Sequence, residues 1–274
     1  MYESFYGLRE KPFMLSPDSD YLYLSKSHQA ALSRLEYVLV SQPGISVITG
    51  DLGAGKTTII RKLLKKKYPH LTVGLVANSY VDSFEELMKW ILYSFSLDHA
   101  GKDKVAMYDT LAEFLVTQFA EQKRVILIID EAHNLDESCL EQLRILANVN
   151  TDKNELLQIL LIGESSLRTT LGLPLMKAFV QRIVVDCHVE NLSLEETTEY
   201  INHRVVTAGG RQALFSNKAC EHAWKASGGN PRLINAICDT ALLYGFAEQK
   251  KQIDEQLIDV VTREKQRSLL PVNT

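Results

Sequence analysis

Eight consecutive residues, Gly50-Asp51-Leu52-Gly53-Ala54-Gly55-Lys56-Thr57, fit the pattern G-x-x-x-x-G-K-[ST]. Glycines in such a turn let backbone N–H groups curl around an anion, and a helix start beyond it adds its dipole. The lysine reaches the β- and γ-phosphates of a nucleotide, and the adjacent hydroxyl ligates Mg²⁺. The pattern alone arises by chance, but here a short buried strand, Ile45–Thr49, precedes it and a helix, Thr57–Lys67, follows it. Gly50 through Thr57, with Thr58 after them, are therefore expected to bind ATP and Mg²⁺.

A second constellation is Val125-Ile126-Leu127-Ile128-Ile129-Asp130-Glu131. A run of pure aliphatics has the composition of a parallel strand covered on both faces, and it places a carboxylate at the strand's C-terminal edge. Asp130 is expected to hold the Mg²⁺ shell, directly or through water. Glu131 is placed to orient and polarise an attacking water. The competing reading is a buried strand followed by an acidic helix cap. His133 has no second His or Cys at ligand spacing and reads as an ordinary loop or helix-start residue.

Weaker polar positions fit the same chemistry. Asn78, after the strand Leu71–Ala77, could hydrogen-bond Glu131, with Ser79 its neighbouring candidate; an ordinary strand-end cap is the alternative. Glu164 follows the strand Leu157–Ile162, where a polar side chain could sense the γ-phosphate, or it is a solvated loop acid. Arg182, before the short strand Ile183–Asp186, could reach a neighbouring subunit's γ-phosphate or form a surface salt bridge. In Gly228-Gly229-Asn230-Pro231-Arg232, Asn suits an N-cap and Pro the first helical position. Arg232 then lies in the first turn of a helix and could point at the nucleotide. Arg61, Lys62, Lys65, Lys66 and Lys67 form a basic cluster that reads as a solvated face or a patch for an acidic partner.

The elements that must position these residues alternate in type. Helices are expected from Ser27 to the Gln42-Pro43-Gly44 stop, over Ser83–Ser94, over Met107–Gln122 and over Asp136–Val149, between the strands already named. Such alternation predicts an α/β fold, a parallel sheet between helix layers. After Val189 only helical patterns follow: one from Leu192 to Ala208, then Asn217–Ser227, Pro231–Phe246 and Asp254–Gln266. The first 27 residues are rich in aromatics and carry Pro12 and Pro17, without a helical or strand period. Their aromatics predict packing onto the body. The division expected is 1–27 as this segment, 28–190 as the αβα nucleotide-binding domain and 191–274 as a helical domain.

The chain has 274 residues, 46% hydrophobic and 23% charged, with net charge −4. That composition excludes a largely disordered chain, and the charge argues against one built to coat nucleic acid, though it leaves room for a local basic patch. No apolar run approaches the roughly 20 residues of a membrane span. The N-terminus lacks a basic n-region and an apolar h-region. Cys139, Cys187, Cys220 and Cys238 show no zinc spacing and read as reduced thiols in a cytoplasm.

The order of these motifs, ending in N-P-R within a helical lid, resembles the AAA+ ATPases. The opening Phe5-Tyr6-Gly7-Leu8, Pro12-Phe13, Ser16-Pro17-Asp18, Tyr21-Leu22-Tyr23-Leu24-Ser25 and His28 is more specific. So are Gln181-Arg182-Ile183, Glu196-Thr197, His203-Arg204 and Asn230-Pro231-Arg232 with Ile234-Asn235. These are similar to the ExeA/GspA family of secretion-associated ATPases and their pilus-biogenesis relatives, over nearly the whole chain. The resemblance implies a P-loop domain of three αβα layers followed by an all-helical AAA+ lid. It implies an oligomeric ATPase, as a ring or filament, with Lys56, Glu131, Arg182 and Arg232 catalytic. It implies a phosphate site of Gly50, Asp51, Leu52, Gly53, Ala54, Gly55, Lys56, Thr57, Thr58, Asn78, Glu164, Pro231 and Arg232, and Mg²⁺ on Thr57 and Asp130. Secretion or pilus assembly proteins are the partners expected, at the cytoplasmic side of a bacterial inner membrane. Family members write Gln where this chain has Glu164, and DEAQ where it has DEAH. Full-length ExeA-type proteins also carry a membrane span and a periplasmic part. Two alternatives stay open: a DNA-associated ATPase that recruits a transposase, and a nucleotide-gated scaffold with little turnover.

Overall fold

The computed structural model describes residues 1–14, 21–41, 44–66, 68–77, 79–151 and 154–266. Asn78, Lys67, Pro17 and the Gln42-Pro43 helix stop lie outside the described residues. In chain order the elements begin with α1 (Glu3–Tyr6), α2 (Lys26–Ser41), β1 (Ile45–Gly50), α3 (Lys56–Lys65), β2 (Leu71–Val76), α4 (Phe84–Ser94), α5 (Lys104–Ala120) and β3 (Arg124–Ile129). They continue with α6 (Glu137–Leu146), a hairpin of β4 (Asn150–Thr151) and β5 (Asn154–Glu155), β6 (Leu157–Gly163), α7 (Ser165–Leu171), α8 (Lys177–Val180) and β7 (Ile183–Val189). The last four are helices, α9 (Leu194–Thr207), α10 (Asn217–Ser227), α11 (Pro231–Ala247) and α12 (Glu255–Gln266).

These elements gather into two compact units, Ala30–Gly50 with Leu63–His188, and Met1–Gln29 with Asp51–Lys62 and Val189–Thr274. In the first, β2-β3-β6-β1-β7 form one sheet. β2 pairs with β3, β3 with β6 and β6 with β1, all parallel. Odd-numbered strand residues, Val47, Val125, Leu127, Ile129, Ile159 and Leu161, pack in one cluster with Leu87, Ile91, Leu111 and Leu143 of α4, α5 and α6. The even-numbered Ile48, Ile126, Ile128, Leu160 and Ile162 face the other way and are equally buried. On that side the Gln158 amide donates to the Val38 carbonyl of α2 at 3.0 Å. Both sheet faces are thus covered, as the unbroken aliphatic strands require.

Several boundaries differ from the sequence reading. The last strand runs past Asp186 to Val189, because β7 is an edge strand whose charged side chains alternate to the exposed face. α5 begins at Lys104, capped by the Asp103 carboxylate, which accepts the Ala106 N–H at 2.8 Å. α2 begins before Ser27; the capping oxygen is that of Ser25, which accepts the His28 N–H at 3.3 Å. α6 stops three residues short of Val149, at Leu146. α7 and the β4–β5 hairpin were not expected, being too short to show a period.

The second unit buries the aromatic N-terminus among the last four helices. Tyr2, Tyr6, Leu8, Phe13 and Tyr21 share a core with Tyr200, Ile201, Phe215, Ile234, Ile237, Leu242 and Ile258. Phe13 meets Phe215 edge to face with ring centres 5.7 Å apart. Arg204 is buried there: its guanidinium donates to the Pro12 carbonyl at 2.6 Å and to the Tyr200 hydroxyl at 2.9 Å. Its charge lies over the Tyr21 and Tyr200 rings. All four cysteines are free and buried, and burial pushes the Cys220 thiol up to about 11.

Candidate functional site

The chain leaves the C-terminal end of β1 at Gly50 and enters α3 at Lys56, so residues 51–55 form a loop between strand and helix. Within the second unit this loop is tied down residue by residue. The Asp51 carbonyl accepts from the Ala54 N–H at 3.1 Å and from Lys56 Nζ at 2.9 Å. The Asp51 carboxylate accepts from the Asn191 amide at 3.0 Å. The Leu52 carbonyl accepts from the Asn230 amide at 2.8 Å, and the Ala54 carbonyl from His28 Nε2 at 2.9 Å. Gly53 and Gly55 have φ of 83° and 95°, which favours glycine. Neither has room for a side chain: a Cβ on Gly53 would lie 2.5 Å from Arg232 Cβ, and one on Gly55 would lie 2.7 Å from His28 Nε2. Thr57 and Thr58 occupy the first turn of α3.

Asn230 also caps α11. Its Oδ1 accepts from the Arg232 and Leu233 N–H groups, and Pro231 takes the first helical position, so the capping reading holds and Arg232 stands exposed in the first turn. Gly229 is needed for a close approach, since a Cβ there would fall 2.0 Å from the Leu192 carbonyl oxygen.

Within the first unit, three adjacent parallel strands end at one sheet edge, β3 before Asp130, β6 at Gly163 and β1 at Gly50. Glu131 sits there at φ 56°, ψ 31°, a left-handed backbone that a non-glycine residue seldom adopts. Its N–H donates to Asp130 Oδ1 at 3.0 Å, and its carbonyl accepts from the Ser79 hydroxyl at 2.7 Å. His133 lies between two carboxylates. Nδ1 is 3.5 Å from Glu131 Oε2, and Nε2 is 3.8 Å from Glu164 Oε1. The Glu164 N–H points at Nδ1 from 3.3 Å. His133 lies in a short helical turn, Ala132–Asn134, as the sequence reading allowed, with these two acids beside it. Glu131, His133 and Glu164 offer ligand atoms all within 4.8 Å of one another. Arg182 precedes β7 on the surface and pairs with Glu155 at 3.5 Å, the salt bridge its sequence context allowed.

The structure thus gathers Asp51–Thr58 with Pro231 and Arg232 in one unit, and Asp130, Glu131 and Glu164 in the other. It leaves Arg182 apart from that edge's acids, and Asn78 is not described. Sequence reasoning gave no role to His28, and to Asn230 only the helix cap. The amide of Asn230 is invisible in a capping motif, and His28 lies far from the loop in sequence.

Residues 39–171 match the AAA domain family. The fold resembles the Aeropyrum pernix ORC2 protein in its ADPNP–ADP complexes, with TM-score 0.62 and 17% identity over 89% of this chain and 68% of that one. It also resembles a chain of the Drosophila ORC bound to DNA, with TM-score 0.68 and 15% identity over 95% of this chain and 65% of that one. At such identities the likeness is one of fold. An AAA domain is thus present over just under half of the chain. Over most of its length the chain is similar to General secretion pathway protein A of Aeromonas hydrophila, 38% identical over 257 residues and 92% of this chain. It spans 46% of that relative's length. No helix among the described residues is long and apolar enough to cross a membrane.

Proposed function

We propose that this protein binds and hydrolyses Mg-ATP as an oligomer and so drives assembly or remodelling of a secretion or pilus-type envelope machine at the cytoplasmic face of a membrane. The observation that carries the reading is the loop Gly50–Thr57, which enters α3 directly from β1 with glycines at positive φ and Lys56 at the helix start. The similarity to a secretion-pathway protein supports the cellular role. The organisation we adopt keeps 28–190 as the ATPase domain and 191–274 as the lid.

Lys56 and the loop N–H groups would bind the phosphates, with Thr58 on the same turn. The Thr57 hydroxyl and the Asp130 carboxylate are hard oxygen donors, the set that Mg²⁺ prefers. Bound there, Mg²⁺ would neutralise phosphate charge. Glu131 would take the role of orienting and polarising the water that attacks. Its left-handed backbone fixes where the carboxylate leaves the chain. Arg232, at the start of α11, would contact the nucleotide from the lid. Arg182 would serve a neighbouring subunit's site.

Thermal melting with and without Mg-ATP tests binding. Saturation at about 100 times the dissociation constant adds roughly 2.7 kcal/mol. Lys56→Ala should abolish that shift. Glu131→Gln should keep it and lose about 10²–10⁴ in hydrolysis rate, the usual worth of a positioned acid–base group. A wild-type melting curve indifferent to Mg-ATP refutes the reading.

A further inference from the structure

The structure assigns His28 and Asn230 a task in nucleotide binding: they are positioning residues that hold the phosphate loop open before any ligand arrives. This rests on the reading of Gly50–Thr57 as an ATP site. His28 comes from the first turns of α2 and Asn230 from the N-cap of α11, so two segments distant in sequence converge on one short loop.

Each donates to a loop carbonyl, His28 Nε2 to Ala54 at 2.9 Å and Asn230 Nδ2 to Leu52 at 2.8 Å. A trans peptide is planar, with the carbonyl of one residue and the N–H of the next pointing opposite ways. No cis bond occurs among the described residues. Pinning the Leu52 carbonyl therefore aims the Gly53 N–H away from Asn230. Pinning the Ala54 carbonyl aims the Gly55 N–H away from His28. With the Asp51 carbonyl held by Lys56 Nζ and the Ala54 N–H, three carbonyls of the turn, at positions 51, 52 and 54, are anchored from known directions. The loop then keeps the shape that presents N–H groups to phosphate, and binding does not have to freeze it.

The His28 contact is built to be a donor. The Ala54 carbonyl can only accept, so Nε2 carries the hydrogen. Ser25 Oγ lies 2.5 Å from Nδ1, where its hydroxyl donates to the bare nitrogen and fixes that tautomer. Burial holds the imidazole below its usual pKa, which keeps Nδ1 free to accept. Both His28 and Ala54 are almost fully buried, so no water replaces the bond when it is lost. The close approach also explains the glycines, because His28 and Arg232 fill the volumes that side chains at positions 55 and 53 would need.

The test is a fluorescence titration of the full chain with N-methylanthraniloyl ADP and Mg²⁺, well below the melting temperature of each variant. His28→Ala should weaken binding about tenfold, the effect of losing one buried hydrogen bond. His28→Gln places an amide donor near the same point and should recover most of the affinity. Asn230→Ser keeps a helix cap but cannot reach Leu52, and should weaken binding by a similar factor. A merely structural role would lower the melting temperature of the unliganded protein and leave the dissociation constant alone. Should His28→Ala fail to fold, Asn230→Ser and His28→Gln carry the measurement. If both the alanine and serine variants bind as the wild type does while Lys56→Ala does not bind, the clamp is wrong and the ATP site stands. If the wild type itself fails to bind, the ATP site and the clamp fall together.

Discussion

The buried hydroxyl of Ser79, three residues beyond β2, donates to the backbone carbonyl of Glu131 at 2.7 Å, and so ties the end of β2 to the acid that follows β3. The backbone of Glu131 is left-handed. A strained conformation persists where its surroundings over-determine it, and Ser79 is one of the groups that do so here.

Ser79→Ala should therefore act on turnover more than on binding. The carbonyl of Glu131 then loses this partner, at a cost of about 1–3 kcal/mol where it stays unsatisfied. We expect the hydrolysis rate to fall about tenfold to hundredfold, with the ATP dissociation constant within a factor of about two. Ser79→Thr, which keeps the hydroxyl, should recover the rate if its methyl is accommodated. A rate unchanged in Ser79→Ala would show that the Glu131 carboxylate does not depend on this bond.

Arg182 is exposed and pairs only with partly exposed Glu155 among the described residues, so that ion pair is cheap to open. If Arg182 serves a neighbouring subunit, Arg182→Ala should bind ATP normally and hydrolyse it far more slowly, since an arginine of this kind is worth roughly 10³–10⁵ in rate. Mixing decides the point. Glu131→Gln subunits keep Arg182, and Arg182→Ala subunits keep Glu131. Together they form one complete site wherever they meet in the right order, so the mixture should exceed the sum of its parts. No gain, with mixed oligomers confirmed by light scattering, would put Arg182 outside the reaction.

Acid should destabilise the helical unit through the buried His28 and the half-buried His203. His28 is held below the ordinary value of 6.5 by burial, against the opposing pull of the Ala54 carbonyl and Glu196. Burial lowers His203 too, with Arg204 and Lys62 acting the same way. Between each folded pKa and about 6.5 the unfolded chain binds a proton that the folded chain does not, so stability rises with pH there. It is complete above about 6.5 and lost as pH falls through the depressed values. Melting temperatures from about pH 5 to about pH 8 should slope upward in that window, and His28→Gln should flatten the slope. Parallel curves for the two proteins would exclude His28 as a contributor.

Much of this protein was legible in its residues. The aliphatic run Val125–Ile129 allowed only a strand covered on both faces, because a charged or polar residue every second position would be needed to wet one side. Gly50–Thr57 announced a tight glycine turn between a strand and a helix, since Gly53 and Gly55 sit where the backbone takes positive φ. Asn230-Pro231 announced a helix start. These are local properties, set by neighbours within a few residues, and local chemistry is what a sequence displays. The bonds that shape the loop are different. His28 and Ala54 are 26 positions apart, Asn230 and Leu52 are 178 apart, and Ser79 and Glu131 are 52 apart. The same holds for His133 and Glu164, which meet only when β3 and β6 come side by side and end at one edge. Pairing of this kind follows from strand order and from which helices close over which faces. No spacing along the chain encodes a hydrogen bond whose two ends meet only after the core has packed.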